Sequence, residues 1–194
     1  MKKRLSKRKL CIISGSGLMT ISLVILLIWI ISPSIYNKKC IEYTNTIREL
    51  IPPSQNAFPE DRQDNTMPSL SIDNVDFIAL AEFPAFNEAL PVSFQWGNTD
   101  KYPRRFTGSV YNNTLVIGAS DRTGQLDFVH HVSVGDTLFI TDMTGSRYSY
   151  VVSDISISDN ANLETLQNSE ADLTLFVKSA LSFKYTIIRY KVKS

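Results

Sequence analysis

The sequence is short of the residues from which most metal and thiol chemistry is built. Of its 194 residues, two are cysteine and two histidine. Two cysteines exclude a disulfide scaffold and any Cys-rich zinc module. The histidines are neighbours, His130 and His131, and leave no spaced imidazoles for a metal site. Neither a metal nor a cofactor is expected. Excess charge is also missing, with 20 Lys and Arg against 19 Asp and Glu. Near-zero net charge with 43% apolar residues excludes disorder as a description of the whole chain. The balance is uneven along the sequence. Six basic residues (Lys2, Lys3, Arg4, Lys7, Arg8 and Lys9) crowd the first nine positions, which leaves 14 basic side chains against all 19 acidic ones. An acidic body without a basic stripe argues against nucleic acid as a partner.

Charge is absent altogether from Cys11 to Ile31. A helix over this run measures about 30 Å, the thickness of a bilayer's hydrocarbon core. The expectation is a cytoplasmic basic segment at 1–10 and a transmembrane helix at 11–31. By the positive-inside rule everything after Ile31 is then extracytoplasmic, a single-pass protein of the cell membrane. Trp29 and Tyr36 stand where interfacial aromatics belong. A cleaved signal peptide fits less well, because Ile30-Ile31-Ser32-Pro33 offers no small-x-small cleavage site. Cys11 and Cys40 lie at opposite ends of the span, too far apart for a disulfide.

Residues 32–51 read as a helical stalk, with Cys40, Tyr43, Ile47, Leu50 and Ile51 at spacings of three and four until Pro52-Pro53 stops it. Residues 52–69 read as a polar linker or loosely held arm. From Leu70 to the end, short β-type runs follow: 77–81, 114–117, 136–141, 148–152, 173–177 and 185–192. Asp142-Met143-Thr144-Gly145 is a turn between two of them, and only Asn160–Gln167 suggests a helical turn. The fold class expected for 70–194 is mainly β, a barrel or sandwich with short helices. Asp154, Asp159, Glu164 and Asp172 lack the spacing of a calcium loop. His130 and His131 point to opposite faces if extended, and Phe83, Phe86, Phe94 and Trp96 read as core.

The order of these pieces resembles the sortases, membrane-anchored cysteine transpeptidases of Gram-positive bacteria. The resemblance is carried by Ala89-Leu90-Pro91-Val92, Arg105-Phe106-Thr107-Gly108-Ser109, Leu115–Ser120, Val134-Gly135-Asp136, Asp142–Gly145 with Tyr148–Val152, and Asp172–Phe176. It implies a closed β-barrel with a cysteine nucleophile, a histidine acid/base and an arginine that steadies the oxyanion. Those positions fall here on Lys178, Ser120 and Tyr185, and Arg189 comes four residues too late. The resemblance therefore implies a degenerate member, a pseudoenzyme, without Cys-His-Arg chemistry. Groove-lining candidates are Ala119, Ser120, Asp121, Val177, Lys178 and Tyr185. Three functions follow. The domain is a binding or accessory module in cell-surface protein or pilus assembly, whose partner is a sorting-signal-like peptide, an active sortase or a surface protein. Alternatively it is an acyl-transfer enzyme, transpeptidase or hydrolase, with Ser120 activated by a neutral Lys178. In the third reading it is a purely structural membrane-tethered domain, with Lys178 solvated or paired with Asp121.

Overall fold

A computed structural model describes residues 7–59, 66–94, 101–121, 125–162, 166, 170–182 and 184–193, apart from the side chains of 7–14, 29, 32 and 33. One helix, α1 (Lys7–Leu50), opens the chain and runs unbroken through the Ser-Gly-Ser-Gly stretch and past Pro33, so the expected span and stalk share a single helix. Among the described residues no helix is long and apolar enough to cross a membrane; the side chains of 11–14 and Trp29, within the expected span, lie outside that set.

The C-terminal turns of α1 do not stand free. Cys40, Tyr43, Thr44 and Ile47 recur at helical spacing and are buried against the β domain. Tyr43 meets Phe77 and Tyr102, with ring centroids 5.2 and 5.6 Å apart. Its hydroxyl donates to Asp73 Oδ2 at 3.2 Å, and Thr44 Oγ1 donates to the Ala89 carbonyl at 3.3 Å. One turn on, Arg48 Nη2 and Arg147 Nη2 donate to the two oxygens of Glu82, each at 2.9 Å. Pro52-Pro53 ends the helix, and the arm then lies on the barrel. There β1 (Gln55–Asn56) pairs in parallel with the start of β8 (Ser146–Ser158), and Met67 is buried further along.

The remaining strands are β2 (Leu70–Ile72), β3 (Val75–Phe83), β4 (Glu88–Ser93), β5 (Arg104–Thr107), β6 (Leu115–Ser120), β7 (Thr137–Asp142), β9 (Leu173–Lys178) and β10 (Tyr185–Val192). Pairing runs β3-β7-β8-β10-β9-β6-β5-β4 and returns to β3, a closed eight-stranded barrel with β1 and β2 as short additions. Closure gives every strand in the ring a neighbour on both sides, with β4 and β5 joined at the single pair Ser93 and Arg104. The hairpin expected at Asp142–Gly145 joins β7 to β8. Asp142 Oδ1 accepts from the amides of Thr144 and Ser146 at 2.9 and 3.0 Å, and Oδ2 accepts from the Tyr111 hydroxyl at 2.9 Å. His130 and His131 are not on an extended segment; they end a 3-10 turn (Asp127–His131), and both are exposed.

Candidate functional site

The Leu-Thr-Leu-Phe-Val run of β9 is buried at every position because it is covered on both faces. Leu173, Leu175 and Val177 point into the barrel core. Phe176, on the other face, joins Val116, Ile187 and Leu166 in a second, outer cluster, with Tyr185 and Phe106 packed against it. Leu166 comes from the connection between β8 and β9 and is fully buried. This outer face of β6, β9 and β10 carries Ser120, Lys178 and Tyr185, three of the positions that the sequence singled out.

Parallel pairing sets Ser120 opposite Lys178, and antiparallel pairing sets Lys178 opposite Tyr185, so the three form one lateral row at the end of the strands. Register partners share a face. Ser120 is 8% exposed, Lys178 is exposed, and Tyr185 is half-buried with its ring 6.2 Å from that of Phe176. The Lys178 ammonium lies over the Tyr185 ring, 5.9 Å from its centroid. Among the described residues no hydrogen bond joins Lys178 to Ser120. Asp121 is engaged elsewhere: Oδ1 accepts from the Ala180 amide at 2.7 Å, tying the β9–β10 hairpin to the end of β6, and His130 Nε2 is 4.0 Å from Oδ2.

An open cleft of about 480 Å³ lies beside the row, between Lys178 and Tyr185 on one side and Asp159–Asn162 on the other. A salt bridge from Lys184 to Asp159 spans 3.5 Å at the start of the same connection. Of the six groove candidates, Lys178 and Tyr185 line this cleft; Val177 belongs to the barrel core and Ala119 packs against it, because alternate strand residues turn inward. A second cavity of about 450 Å³ lies at the opposite end of β6 and β9, where Leu166 meets Asn113, Val116, Asp172 and Thr174. Sequence reasoning missed it. The available signal was the pair of leucines, Leu163 and Leu166, within an otherwise polar connection.

The other candidates have structural partners. Arg189 Nη1 donates to Asp154 Oδ2 at 2.6 Å and to Ser156 Oγ at 3.0 Å. Asp172 Oδ2 accepts from the Val192 amide at 2.8 Å, and Lys191 lies 3.7 Å from its other oxygen. Glu164 and Trp96 lie outside the described residues, among which no group of three or more His, Cys, Asp or Glu side chains is placed to hold a metal. Cys40 is 1% exposed in the helix–barrel contact, where burial, reinforced by the Glu88 charge, pushes its thiol up to about 12.

No protein-family model and no curated protein matches the sequence. Solved structures do match the fold. A lid mutant of sortase A from Corynebacterium diphtheriae superposes with a TM-score of 0.55 at 17% identity, over 62% of this chain and 72% of that one. Sortase A from the same organism gives 0.54 at 14% identity over 84% of each chain. Clostridium perfringens sortase C, determined with the C-terminal cell wall sorting motif, gives 0.52 at 19% identity over 68% and 78%. The closed eight-stranded barrel and these superpositions together establish that the chain has the sortase fold.

Proposed function

We propose that this is a membrane-anchored, extracytoplasmic sortase-fold domain that has lost cysteine transpeptidase chemistry and holds a peptide on its outer face as an accessory to surface-protein or pilus assembly. The observation that carries this reading is the row Ser120–Lys178–Tyr185 beside an open cleft. These are the positions onto which the family's His, Cys and Arg fall, and the three neighbours hold neither a thiol nor an imidazole. The cysteine at position 40 is buried in the helix contact, and the histidine nearest the row, His130, faces Asp121. Because β9 is paired on both sides by β6 and β10, a peptide here has no free strand edge to extend. It would be held by side chains, with Lys178 and Tyr185 at one end and the Leu166 cavity at the other. The anchor is supported by the exposed apolar side chains of α1 between Leu18 and Ile31, which surround the helix instead of forming one stripe.

The register pairing of Ser120 with Lys178 favours a second reading, an acyl-transfer site in which a neutral lysine takes the serine proton. The exposed ammonium over the Tyr185 ring weighs against it. One experiment separates the readings. The full chain in nanodiscs is mixed with a fluorogenic sorting-signal peptide and a nucleophilic amine, and binding and turnover are followed together. Saturable binding without turnover, weakened by Lys178→Ala and Tyr185→Ala, is the expected result. Turnover that disappears in Ser120→Ala replaces this reading with the acyltransferase. Absence of both leaves the purely structural reading.

A further inference from the structure

The route of α1 fixes more than attachment. The apolar run ends at Ile31, and among the described residues helix and barrel already meet at Tyr36: Gln125 Nε2 donates to the Tyr36 carbonyl at 3.2 Å, and Lys101 Nζ lies 5.1 Å from its ring centroid. Tyr36 is five helical steps past Ile31, about 7.5 Å of rise. The headgroup layer is roughly 5–7 Å deep on each side of the hydrocarbon core. With Ile31 at the edge of the hydrocarbon, Lys101 and Gln125 would stand at the level of the lipid phosphates. Buried contacts at Cys40, Tyr43, Thr44 and Ile47 and the Arg48–Glu82–Arg147 bridge prevent the barrel from swinging away on a loose tether.

We infer that this end of the barrel rests on an anionic lipid surface, with Lys38, Lys39 and Lys101 binding headgroup phosphates. The inference depends on the anchor in the proposed function. Charge complementarity carries it. Lys38 and Lys39 are exposed on α1 about 10 and 12 Å past Ile31, within reach of the phosphates for a lysine side chain that bends toward the bilayer. Lys101 adds a third cation from the barrel side of the helix. The helix has no acidic residue from Lys7 to Ile41, and its first, Glu42, stands about 16 Å past Ile31. Each lysine near an anionic surface contributes on the order of 1 kcal/mol, screened beyond a Debye length. The opposite end of the docked helix, at Arg48, is about 25 Å past Ile31, so the helix–barrel contacts at Arg48 lie about 18 Å further along the axis than those at Tyr36.

The test uses the full chain in nanodiscs of neutral or anionic lipid carrying an energy-transfer acceptor on the headgroups. A donor dye is attached through Asp127→Cys, near Gln125, or through Ser54→Cys, beyond the far end of α1, with Cys11→Ala removing the second thiol. The expected result is stronger quenching at 127 than at 54, with a further increase at 127 in anionic discs. Lys38→Glu, Lys39→Glu and Lys101→Glu combined should abolish that increase and leave the signal in neutral discs unchanged. Equal quenching at both positions in discs that contain the protein overturns the orientation while leaving the anchor intact. An anionic increase that survives the triple reversal overturns the lysine contact. Protein that fails to float with lipid vesicles overturns the anchor itself, and the inference with it.

Discussion

Lys178 and Tyr185 face each other as register partners on β9 and β10, the ammonium poised 5.9 Å from the ring centroid. At an exposed site this contact contributes about 0.5–1 kcal/mol, enough to bias the lysine away from Ser120 without burying it. Position 178 is thus open to solvent, whereas Cys40, placed against the barrel, is sealed. Lys178→Cys should be alkylated rapidly at pH 8, and Cys40 in the same protein should resist. With its thiol pushed up to about 12, Cys40 holds roughly a ten-thousandth of its population as thiolate at that pH. Mass mapping of the alkylated peptides checks both; rapid labelling of Cys40 would mean that α1 does not stay docked.

The same thiol gives a pH dependence with a definite sign. Its folded value, about 12, lies above the ordinary 9.0, first because of burial and then because of Glu88. The folded state therefore keeps its proton when the unfolded state has lost it. The stability from the neutral thiol is fully present below pH 9 and is lost as pH rises toward 12. Tyr150 and Tyr190, also pushed up by burial, act in the same direction from pH 10 upward. Denaturant midpoints should be flat from pH 7 to about 8.5 and fall beyond pH 9. Cys40→Ala should shrink the early part of that fall, leaving the tyrosine part in place.

Gly108 has φ +76°, and a Cβ there would sit 1.9 Å from the Thr114 carbonyl oxygen. This approach closes the loop between β5 and β6 and starts β6 in the register that ends at Ser120. Gly108→Ala must strain the backbone by about 1–2 kcal/mol and move Thr114 as well. A loss of at least about 2 kcal/mol is expected from that sum, seen as a clear drop in melting temperature. An unchanged melting temperature would show that the loop has another arrangement available.

Leu166 is the clamp on the β8–β9 connection. Leu166→Ala should cost about 2–3 kcal/mol, the lower part of the range for a buried leucine because a loop can partly collapse. Limited proteolysis should then cut the connection near residue 166 before the barrel unfolds, and the peptide binding proposed for the outer face should weaken. Equal protease resistance in the two proteins would show that Leu166 does not hold the loop.

How far the sequence could be read depended on how each feature is encoded. β10 was legible at 185–192 and β9 at 173–177, since short runs rich in β-branched, aromatic and leucine side chains, free of Gly and Pro, read as strands. The Asp142–Gly145 turn was legible because a carboxylate capping backbone amides and a glycine at φ +85° are local chemistry. Three things were not. Nothing in Pro33 announces that the helix continues through it, since that depends on neighbouring turns. The laying of 52–57 along β8 uses backbone groups, such as Gln55 N–H donating to the Gly145 carbonyl at 2.9 Å, which leave no side-chain pattern. The placing of Lys178 over Tyr185 rather than against Ser120 is decided by rotamer and solvation, and pairing register specifies neither.

A continuous helix that is docked at one end transmits angle as well as position. Each residue added between Ile31 and Tyr36 would turn the barrel by about 100° around the helix axis and lift it about 1.5 Å. One inserted alanine would carry the row at Ser120 to a different side of the axis, and four would return it close to its starting azimuth, about 6 Å higher. The segment that reads as a simple spacer therefore acts as a keyed shaft, and its length in residues sets the compass direction in which the cleft opens.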